Sequence, residues 1–148
     1  MSPLTEQTEQ TEQTDPADPP VADLMTTRLV CVTHDVPLSE VLHLMARTGV
    51  RHLPVMDGTR CTGLVVEVDV VRCVAQGGPL ATAWSVHAGE IARPVERSAS
   101  TATRSAAARA MRAAGSDAVL VVDDGRVRGI VTATDLVRSL AGAPGGAP

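Results

Sequence analysis

The sequence predicts an α+β fold of two pseudo-symmetric units, each with the element order β-α-β-β-α and each packed on the other through its sheet. The first observation is a repeat with a constant offset. Residues of the same type recur 66 positions apart, at Met45 and Met111, Gly49 and Gly115, Gly63 and Gly129, and Asp69 and Asp135. The second observation is that each repeat contains a helical apolar pattern followed by short apolar strands. Because neither repeat can bury its open face alone, the two are expected to share a core.

The first unit is predicted to begin with a strand and a helix. The apolar run from Leu29 to Val32 is typical of a short strand. A helix follows from Asp35 and Pro37, and Gly49 is expected to end it. Its apolar residues have helical spacing, at Leu38, Val41, Leu42 and Met45.

A hairpin and a second helix are predicted to complete the first unit. The hairpin strands are Leu53 to Val55 and Gly63 to Val66, with Asp57-Gly58 at the turn. The helix is predicted from about Asp69 to Ala75. It is expected to stop at Gly77-Gly78-Pro79, since glycine and proline break helices.

The second unit repeats this pattern with weaker elements. Glu96-Arg97-Ser98 stands where the first unit has Val30-Cys31-Val32, so we expect a poor first strand. The helix over 103–114 is rich in alanine, which favours a helix but buries little apolar area. We therefore expect this unit to be the less stable one on its own. Its last strand, Ile130-Val131, leads into a helix from about Leu136.

Composition divides the chain into two units, a linker and two tails. We assign residues 1–20 to a disordered tail, 21–78 to the first unit, 79–87 to the linker, 88–140 to the second unit and 141–148 to a second disordered tail. The first tail repeats Thr-Glu-Gln and then becomes rich in proline, with too few apolar side chains to offset the entropy of ordering. A solvated leader is the favoured interpretation, and a partner-binding tail is the alternative.

Charge and composition argue against several function classes. The net charge is −4, but five acids lie within residues 1–20, so the remainder is nearly neutral. With no Phe or Tyr and only Trp84, the chain lacks the stacking surface typical of nucleic-acid binding. Three cysteines without metal-ligand spacing are predicted to be reduced thiols. We expect a soluble, cytoplasmic protein without a metal site, since no segment is typical of a signal peptide or a membrane span.

A candidate binding motif lies at the strand-to-helix turn of the second unit, in Gly129-Ile130-Val131-Thr132-Ala133-Thr134-Asp135. Thr132 and Asp135 are three residues apart, and their oxygens could both bond the two hydroxyls of a ribose. The alternative is that Thr132, Thr134 or Asp135 only caps the following helix.

Taken in order, these motifs resemble a tandem pair of CBS domains, the regulatory unit called a Bateman module. The residues that carry the resemblance are Asp23-Leu24-Met25-Thr26, Arg51 to Asp57 and Gly63 to Asp69 in the first unit, and Ala118 to Asp123 and Gly129 to Asp135 in the second. The resemblance covers about residues 21–140 and indicates a stand-alone CBS protein. It implies two clefts that bind adenosine-containing ligands between the units.

The resemblance also implies which residues share the first cleft. Thr132 and Asp135 would bind the ribose, and Arg51 and His52 from the other unit would bind a phosphate. The apolar slot for the adenine would be formed by Val30, Val50 and Pro54.

The second cleft departs from the family pattern at both ends. It would combine Val66 and Asp69 with Asp117 and Ala118. Val66 has no hydroxyl, which costs about 1 kcal/mol for a missing neutral hydrogen bond. The carboxylate of Asp117 stands where a cation is expected and would repel a phosphate. We therefore predict one competent nucleotide site and one degenerate site.

The leading functional hypothesis is a non-catalytic sensor, as in energy sensing. Binding of AMP, ADP or ATP in the first cleft would alter the packing of the units or of a homodimer, and an unknown effector protein would respond. S-adenosylmethionine and NAD are less favoured ligands. The alternative is a structural or protein-interaction module with vestigial clefts. An enzyme is disfavoured, because the sequence has no carboxylate cluster and no phosphate-binding glycine loop.

Overall fold

The computed structural model describes residues 17–76 and 85–142. Several predicted features lie outside the described residues. These are residues 1–16 of the first tail, the helix break at Gly77-Gly78-Pro79, the linker residues 79–84 with Trp84, and residues 143–148 of the second tail. Ala141, which was also assigned to the second tail, is instead the last residue of a helix.

Among its described residues, the first unit contains a short 3-10 helix (Val21–Asp23), two α-helices and one hairpin. Helix α1 spans Leu38–Thr48, strand β1 spans His52–Asp57, strand β2 spans Arg60–Val66 and helix α2 spans Glu67–Gln76. Strands β1 and β2 pair in antiparallel register, as predicted from the turn at Asp57-Gly58. Helix α2 begins two residues before the predicted start at Asp69.

The second unit contains three helices and three strands. In chain order they are α3 (Ala88–Ile91), β3 (Glu96–Ser98), α4 (Arg104–Ala114), β4 (Ala118–Asp123), β5 (Arg126–Thr132) and α5 (Ala133–Ala141). Strand β3 is parallel to β4, and β4 is antiparallel to β5.

The predicted internal repeat is confirmed by the strand registers. In the first hairpin His52 is opposite Val66, and in the second Ala118 is opposite Thr132, which is the same pairing shifted by 66 residues. Each hairpin also has a bulge at the same place, after Val55 in β1 and in the matching position of β4. The α+β fold of two similar units is therefore confirmed.

The strand that was predicted to open the first unit hardly forms, whereas the one expected to be poor in the second unit does form. The run from Leu29 to Val32 forms only one bridge, between Val32 and Val55. Val32 donates its N–H to the carbonyl of Pro54 at 3.0 Å, and its own carbonyl accepts the N–H of Met56 at 2.8 Å. The next bond of a parallel ladder would need an N–H at residue 54, which proline lacks. The ladder therefore stops there.

In the second unit, the sequence expected to be the poorer strand pairs over three residues. Glu96–Ser98 lies parallel to β4, with Ser98 opposite Val121. Leu120, the counterpart of Pro54, has the N–H that the proline lacks. Backbone pairing at this position thus outweighs the strand preference of the side chains.

Three apolar clusters form the core, one within each unit and one between the two hairpins. The cluster of the first unit includes Leu38, Leu53, Val55 and Val70. The cluster of the second unit includes Ala107, Met111, Val119 and Val131. The cluster between the hairpins consists of Cys61, Leu64, Val66, Val95, Ala118, Leu120 and Ile130. This third cluster is the expected packing of the units through their sheets.

The segments that precede the two units are exchanged. Residues 21–26 were expected to open the first unit, but Val21 is buried in the core of the second. Thr26 bridges Ile130 of β5. In the same way Ala88 is buried in the core of the first unit, and Arg93 bridges Leu64 of β2. Each unit is therefore completed by the chain segment in front of the other.

Glycine makes room for this exchange. A Cβ at Gly129 would lie 2.7 Å from the carbonyl oxygen of Thr26, and a Cβ at Gly63 would lie 3.1 Å from that of Arg93. The recurring glycines of the repeat thus mark where the exchanged segments cross the hairpins.

Residues 17–20 were expected to be disordered, but the structure places them against helix α4. Asp18 Oδ1 accepts the N–H of Ser105 at 2.8 Å, and the carbonyl of Pro19 accepts the N–H of Arg104 at 2.8 Å. These bonds satisfy free N–H groups in the first turn of the helix, which offsets the loss of chain entropy.

Candidate functional site

A cleft of about 400 Å³ lies between the two units. One wall comes from the chain before α1 and from the loop between α1 and β1, and the other comes from β5 and the start of α5. Its lining consists of Thr26, Arg28, Leu29, Val30, Gly49, Val50, Arg51, His52, Ile130, Thr132, Thr134, Asp135 and Arg138.

The structure brings most of the predicted site residues together in this cleft. Six of them line it, namely Val30, Val50, Arg51, His52, Thr132 and Asp135. Pro54 is not among the lining residues, because it is buried in β1, where it is paired with Leu64 of β2. Aliphatic side chains still supply an apolar wall, since Leu29 and Ile130 also line the cleft.

Several lining residues were missed by the sequence reasoning. Thr26 reaches the cleft only because its segment crosses to the second unit, and Arg28 follows it. Arg138 lies three residues after Asp135 on helix α5, so helical spacing from that residue could have identified it. Thr134 was considered only as a possible cap, and it lines the cleft as well.

Thr132 and Asp135 cap helix α5 and line the cleft at the same time. Asp135 Oδ2 accepts the backbone N–H of Thr132 at 2.9 Å and its hydroxyl at 3.1 Å. The hydroxyl of Thr132 in turn accepts the N–H of Asp135 at 3.4 Å. This is a capping box, so the capping alternative holds for both residues. Oδ1 of Asp135 lies 3.7 Å from Arg138 Nη1, beyond hydrogen-bond distance, and can accept a ligand hydroxyl.

The cleft has an excess of positive charge. Arg28, Arg51 and Arg138 line it, against the single carboxylate of Asp135. Guanidinium groups offer forked donors that match phosphate oxygens. The arrangement is therefore suited to a ligand with hydroxyl groups at one end and negative charge at the other.

Asp117 was assigned to the second cleft, but its side chain contacts His52, a lining residue of the first. Its Oδ1 lies 3.0 Å from Nε2 of His52, whose side chain is only 12% exposed. The backbone carbonyl of Asp117 accepts the N–H of Ala133, the first residue of α5, at 2.8 Å. Asp117 thus joins the His52 wall of the cleft to the wall that carries Asp135.

In the predicted second cleft, the carboxylate of Asp69 is bonded to an arginine of the protein itself. Asp69 accepts a forked pair of hydrogen bonds from Arg93, with Nε donating to Oδ2 at 2.7 Å and Nη2 donating to Oδ1. Val66 and Ala118 are buried in the core between the hairpins. Of the four residues predicted there, Asp69 and Asp117 are the two with a carboxylate. Asp69 is paired with Arg93, and the exposed Asp117 is paired with His52.

The described residues include no candidate metal site and no candidate membrane span. Between residues 17–76 and 85–142, no three His, Cys, Asp or Glu side chains form a group that could hold a metal ion. Over the same part of the chain, every helix is too short or too polar to span a bilayer.

The fold and the cleft together define a class: a duplicated α+β module with a polar, cationic cleft between its repeats. The chain belongs to the CBS domain family, whose model matches residues 21–76 and 89–142. A search of curated protein sequences found no match.

Similar solved structures are CBS proteins. The CBS domain pair of protein MJ0100, solved with 5′-methylthioadenosine and S-adenosyl-L-methionine, is 23% identical with a TM-score of 0.74, over 84% of this chain and 97% of that one. Protein MJ1225 of Methanocaldococcus jannaschii, a putative archaeal homologue of γ-AMPK, is 25% identical with a TM-score of 0.71, over 82% and 47%. The CBS domain of the bacterial CNNM/CorC family Mg²⁺ transporter, solved with ATP, is 19% identical with a TM-score of 0.72, over 83% and 87%.

Proposed function

We propose that this protein is a non-catalytic sensor that binds one adenosine nucleotide in the cleft between its CBS units. The observation that carries the proposal is the meeting of Thr132 and Asp135 with Arg51 and His52 across that cleft. Oδ1 of Asp135 can accept a ribose hydroxyl, and the arginine can donate to a phosphate. Relatives solved with adenosine-containing ligands support the ligand class.

The charge of the cleft favours AMP, ADP or ATP over S-adenosylmethionine. Three arginines line it, whereas the sulfonium ligand has a positive charge that they would repel. NAD has a diphosphate but also needs space for a second nucleoside, so it is a less favoured ligand. The adenine would lie against the aliphatic side chains of Leu29, Val30, Val50 and Ile130.

The expected consequence of binding is a change in packing. A ligand can shift an equilibrium between two arrangements only if it binds one of them better. A nucleotide that contacts both walls of this cleft would favour the arrangement in which the two units hold those walls at the matching distance. The signal would pass through a homodimer or to an effector protein that is not yet identified.

Isothermal titration calorimetry with AMP, ADP and ATP tests the proposal. We expect one site per chain in the wild type, lost in Asp135→Ala and largely retained in Asp69→Ala. Because Asp135 also caps α5, Asp135→Asn is the matched control, since its amide oxygen can still accept the N–H of Thr132. A loss in Asp135→Asn with an unchanged melting temperature assigns the effect to binding. No heat with any nucleotide would refute the proposal.

A second candidate, an interaction module with vestigial clefts, is supported by exposed apolar side chains on α2 and α5. These are Val68, Val71, Val137 and Leu140. Val71 and Val137 occupy equivalent positions of the repeat, so each unit presents an apolar helix position that a second copy of the chain could cover. Under this hypothesis adenosine compounds give no thermal stabilisation, whereas a ligand-binding module is stabilised.

A further inference from the structure

The carboxylate of Asp69 is covered by an arginine from the segment in front of the second unit. Arg93 is held in place by two backbone bonds, since its N–H donates to the carbonyl of Leu64 and its carbonyl accepts the N–H of Leu64, both at 2.9 Å. From this position its guanidinium bonds both oxygens of Asp69, whose side chain is 15% exposed.

The first cleft has the same backbone arrangement with a different side chain. Thr26 and Ile130 exchange the equivalent bonds, at 2.9 and 3.0 Å, and Ile130 is the repeat counterpart of Leu64. Thr26 therefore stands beside Asp135 as Arg93 stands beside Asp69. Thr26 is short and lines an open cleft. Arg93 is long enough to reach across to the carboxylate.

From this comparison we propose that Arg93 is a built-in occupant of the second cleft and limits the chain to one adenosine ligand. The inference rests on the proposed function, because it assigns Asp69 the same ribose-binding capacity as Asp135. Neutral ribose hydroxyls cannot displace a charged, forked donor from both carboxylate oxygens. Arg93 thus closes the second cleft, which also lacks a hydroxyl at Val66 and a cation at Asp117.

The electrostatic surroundings stabilise the pair. The hydrogen bonds that Arg93 donates to Asp69 raise the pKa of its guanidinium above the usual value, against an opposing effect of burial. The negative charges of Asp69 and Asp117 raise it further. Arg72 Nη1 also lies 3.5 Å from Asp69 Oδ1, but it belongs to α2 itself and its side chain is 58% exposed. Arg93, in contrast, belongs to the segment that pairs with Leu64. The equivalent segment, which pairs with Ile130, carries Thr26 and leaves the first cleft open.

The test counts adenosine sites on the full chain by calorimetry. Adenosine is the probe because it lacks a phosphate and so needs no cation where Asp117 stands. Arg93→Thr, which copies Thr26, should bind one adenosine more than the wild type, and Arg93→Thr/Asp69→Ala should lose that extra site. Arg72→Thr is the matched control, since it removes the other arginine near Asp69 and should leave the number unchanged.

A second variant also restores the hydroxyl that Val66 lacks. Arg93→Thr/Val66→Thr restores both counterparts of the first cleft and should also gain one site, while Val66→Thr alone should not. If both Arg93 variants fold, as judged by circular dichroism, and bind the same number of adenosines as the wild type, the inference is overturned.

The test of closure by Arg93 does not depend on whether the first cleft binds adenosine. If the wild type binds no adenosine, the proposed nucleotide site fails, but a site gained in Arg93→Thr and absent from Arg93→Thr/Asp69→Ala still supports closure by Arg93. Repeating the titration in an Asp135→Asn background separates the two, because any remaining site is then the second one.

Discussion

Asp117 and His52 come from different units, and Oδ1 of Asp117 lies 3.0 Å from Nε2 of His52, a lining residue of the cleft. The contact commits one ring nitrogen of His52, so only the other can meet a ligand. The backbone of Asp117 simultaneously holds the first N–H of α5. A residue that looks unfavourable for a phosphate therefore orients one wall of the site relative to the other.

We predict that Asp117→Ala weakens AMP binding because His52 loses the acceptor that fixes its ring. Because the Asp117 side chain is 55% exposed, solvent screens its charge and the bond is expected to contribute about 0.5–1.5 kcal/mol. The dissociation constant should therefore rise by about two- to tenfold. Calorimetry with AMP at low salt measures the change. The backbone carbonyl that binds Ala133 is retained in this variant.

The control for this prediction is Asp117→Asn, whose amide oxygen can still accept from Nε2 of His52. It should bind AMP nearly as well as the wild type. Tighter binding in Asp117→Ala would instead show that the carboxylate acts mainly by repelling the phosphate.

The arginines of the cleft give a second prediction, on ligand charge. Arg138→Ala should lower the affinity for ATP by about three- to tenfold, since charge-assisted bonds are the stronger kind but this side chain is largely exposed and screened. Adenosine binding should change little. Arg109→Ala on α4, an exposed arginine that does not line the cleft, is the control. Equal losses for ATP and adenosine would show that Arg138 supports the fold of the site and not phosphate binding.

Added salt should weaken the same interaction. Raising the ionic strength to about 1 M shortens the Debye length to about 3 Å, so ATP affinity should fall while adenosine affinity stays nearly constant. An ATP affinity that is independent of salt would contradict a role for the exposed arginines.

The repeat made much of the fold and part of the site predictable. The 66-residue offset identified both hairpins, and it placed Asp135 in a position equivalent to Asp69. The helix ends were also predictable, because Gly49 and Gly115 adopt the left-handed conformation, with φ of 75° and 62°. These features depend on residues that are close in sequence or repeated in it.

The exchanged segments were not predictable in this way. Nothing local distinguishes Thr26 as a cleft residue or Arg93 as the partner of Asp69, since both depend on which hairpin the preceding segment crosses. Gly63 and Gly129 lie where the segments cross the hairpins, but the sequence does not show which segment packs on which glycine. Long-range backbone pairing thus determined the positions of Thr26 and Arg93, which the sequence analysis missed.

Pro54 gives a third prediction, on strand pairing. Replacing it by leucine, the residue at its counterpart Leu120, restores an N–H that can donate to the carbonyl of Val30. The segment before α1 should then form a short parallel strand like Glu96–Ser98. Hydrogen exchange should show a protected amide at residue 54, and rapid exchange there would contradict the explanation.

The fourth prediction concerns Asp18, in the segment that was expected to be disordered. The N–H of Ser105, which donates to its carboxylate at 2.8 Å, holds the pKa of Asp18 below its usual value of 3.8. Because the folded-state pKa is the lower one, the stabilisation is complete above pH 3.8 and is lost as the pH falls through the folded-state pKa.

Asp18→Ala should therefore lower the melting temperature at about pH 7, and the difference from the wild type should shrink below about pH 3.8. Scanning calorimetry of both proteins across this range measures it. Asp23→Ala, which changes an exposed acid five residues further along the chain, is the control and should show a smaller difference at neutral pH. If the Asp18→Ala difference is zero at neutral pH, the segment is not anchored through this carboxylate. If it persists undiminished in acid, the loss comes from packing and not from the charged cap, because a protonated carboxyl accepts the N–H of Ser105 more weakly than the ionised one.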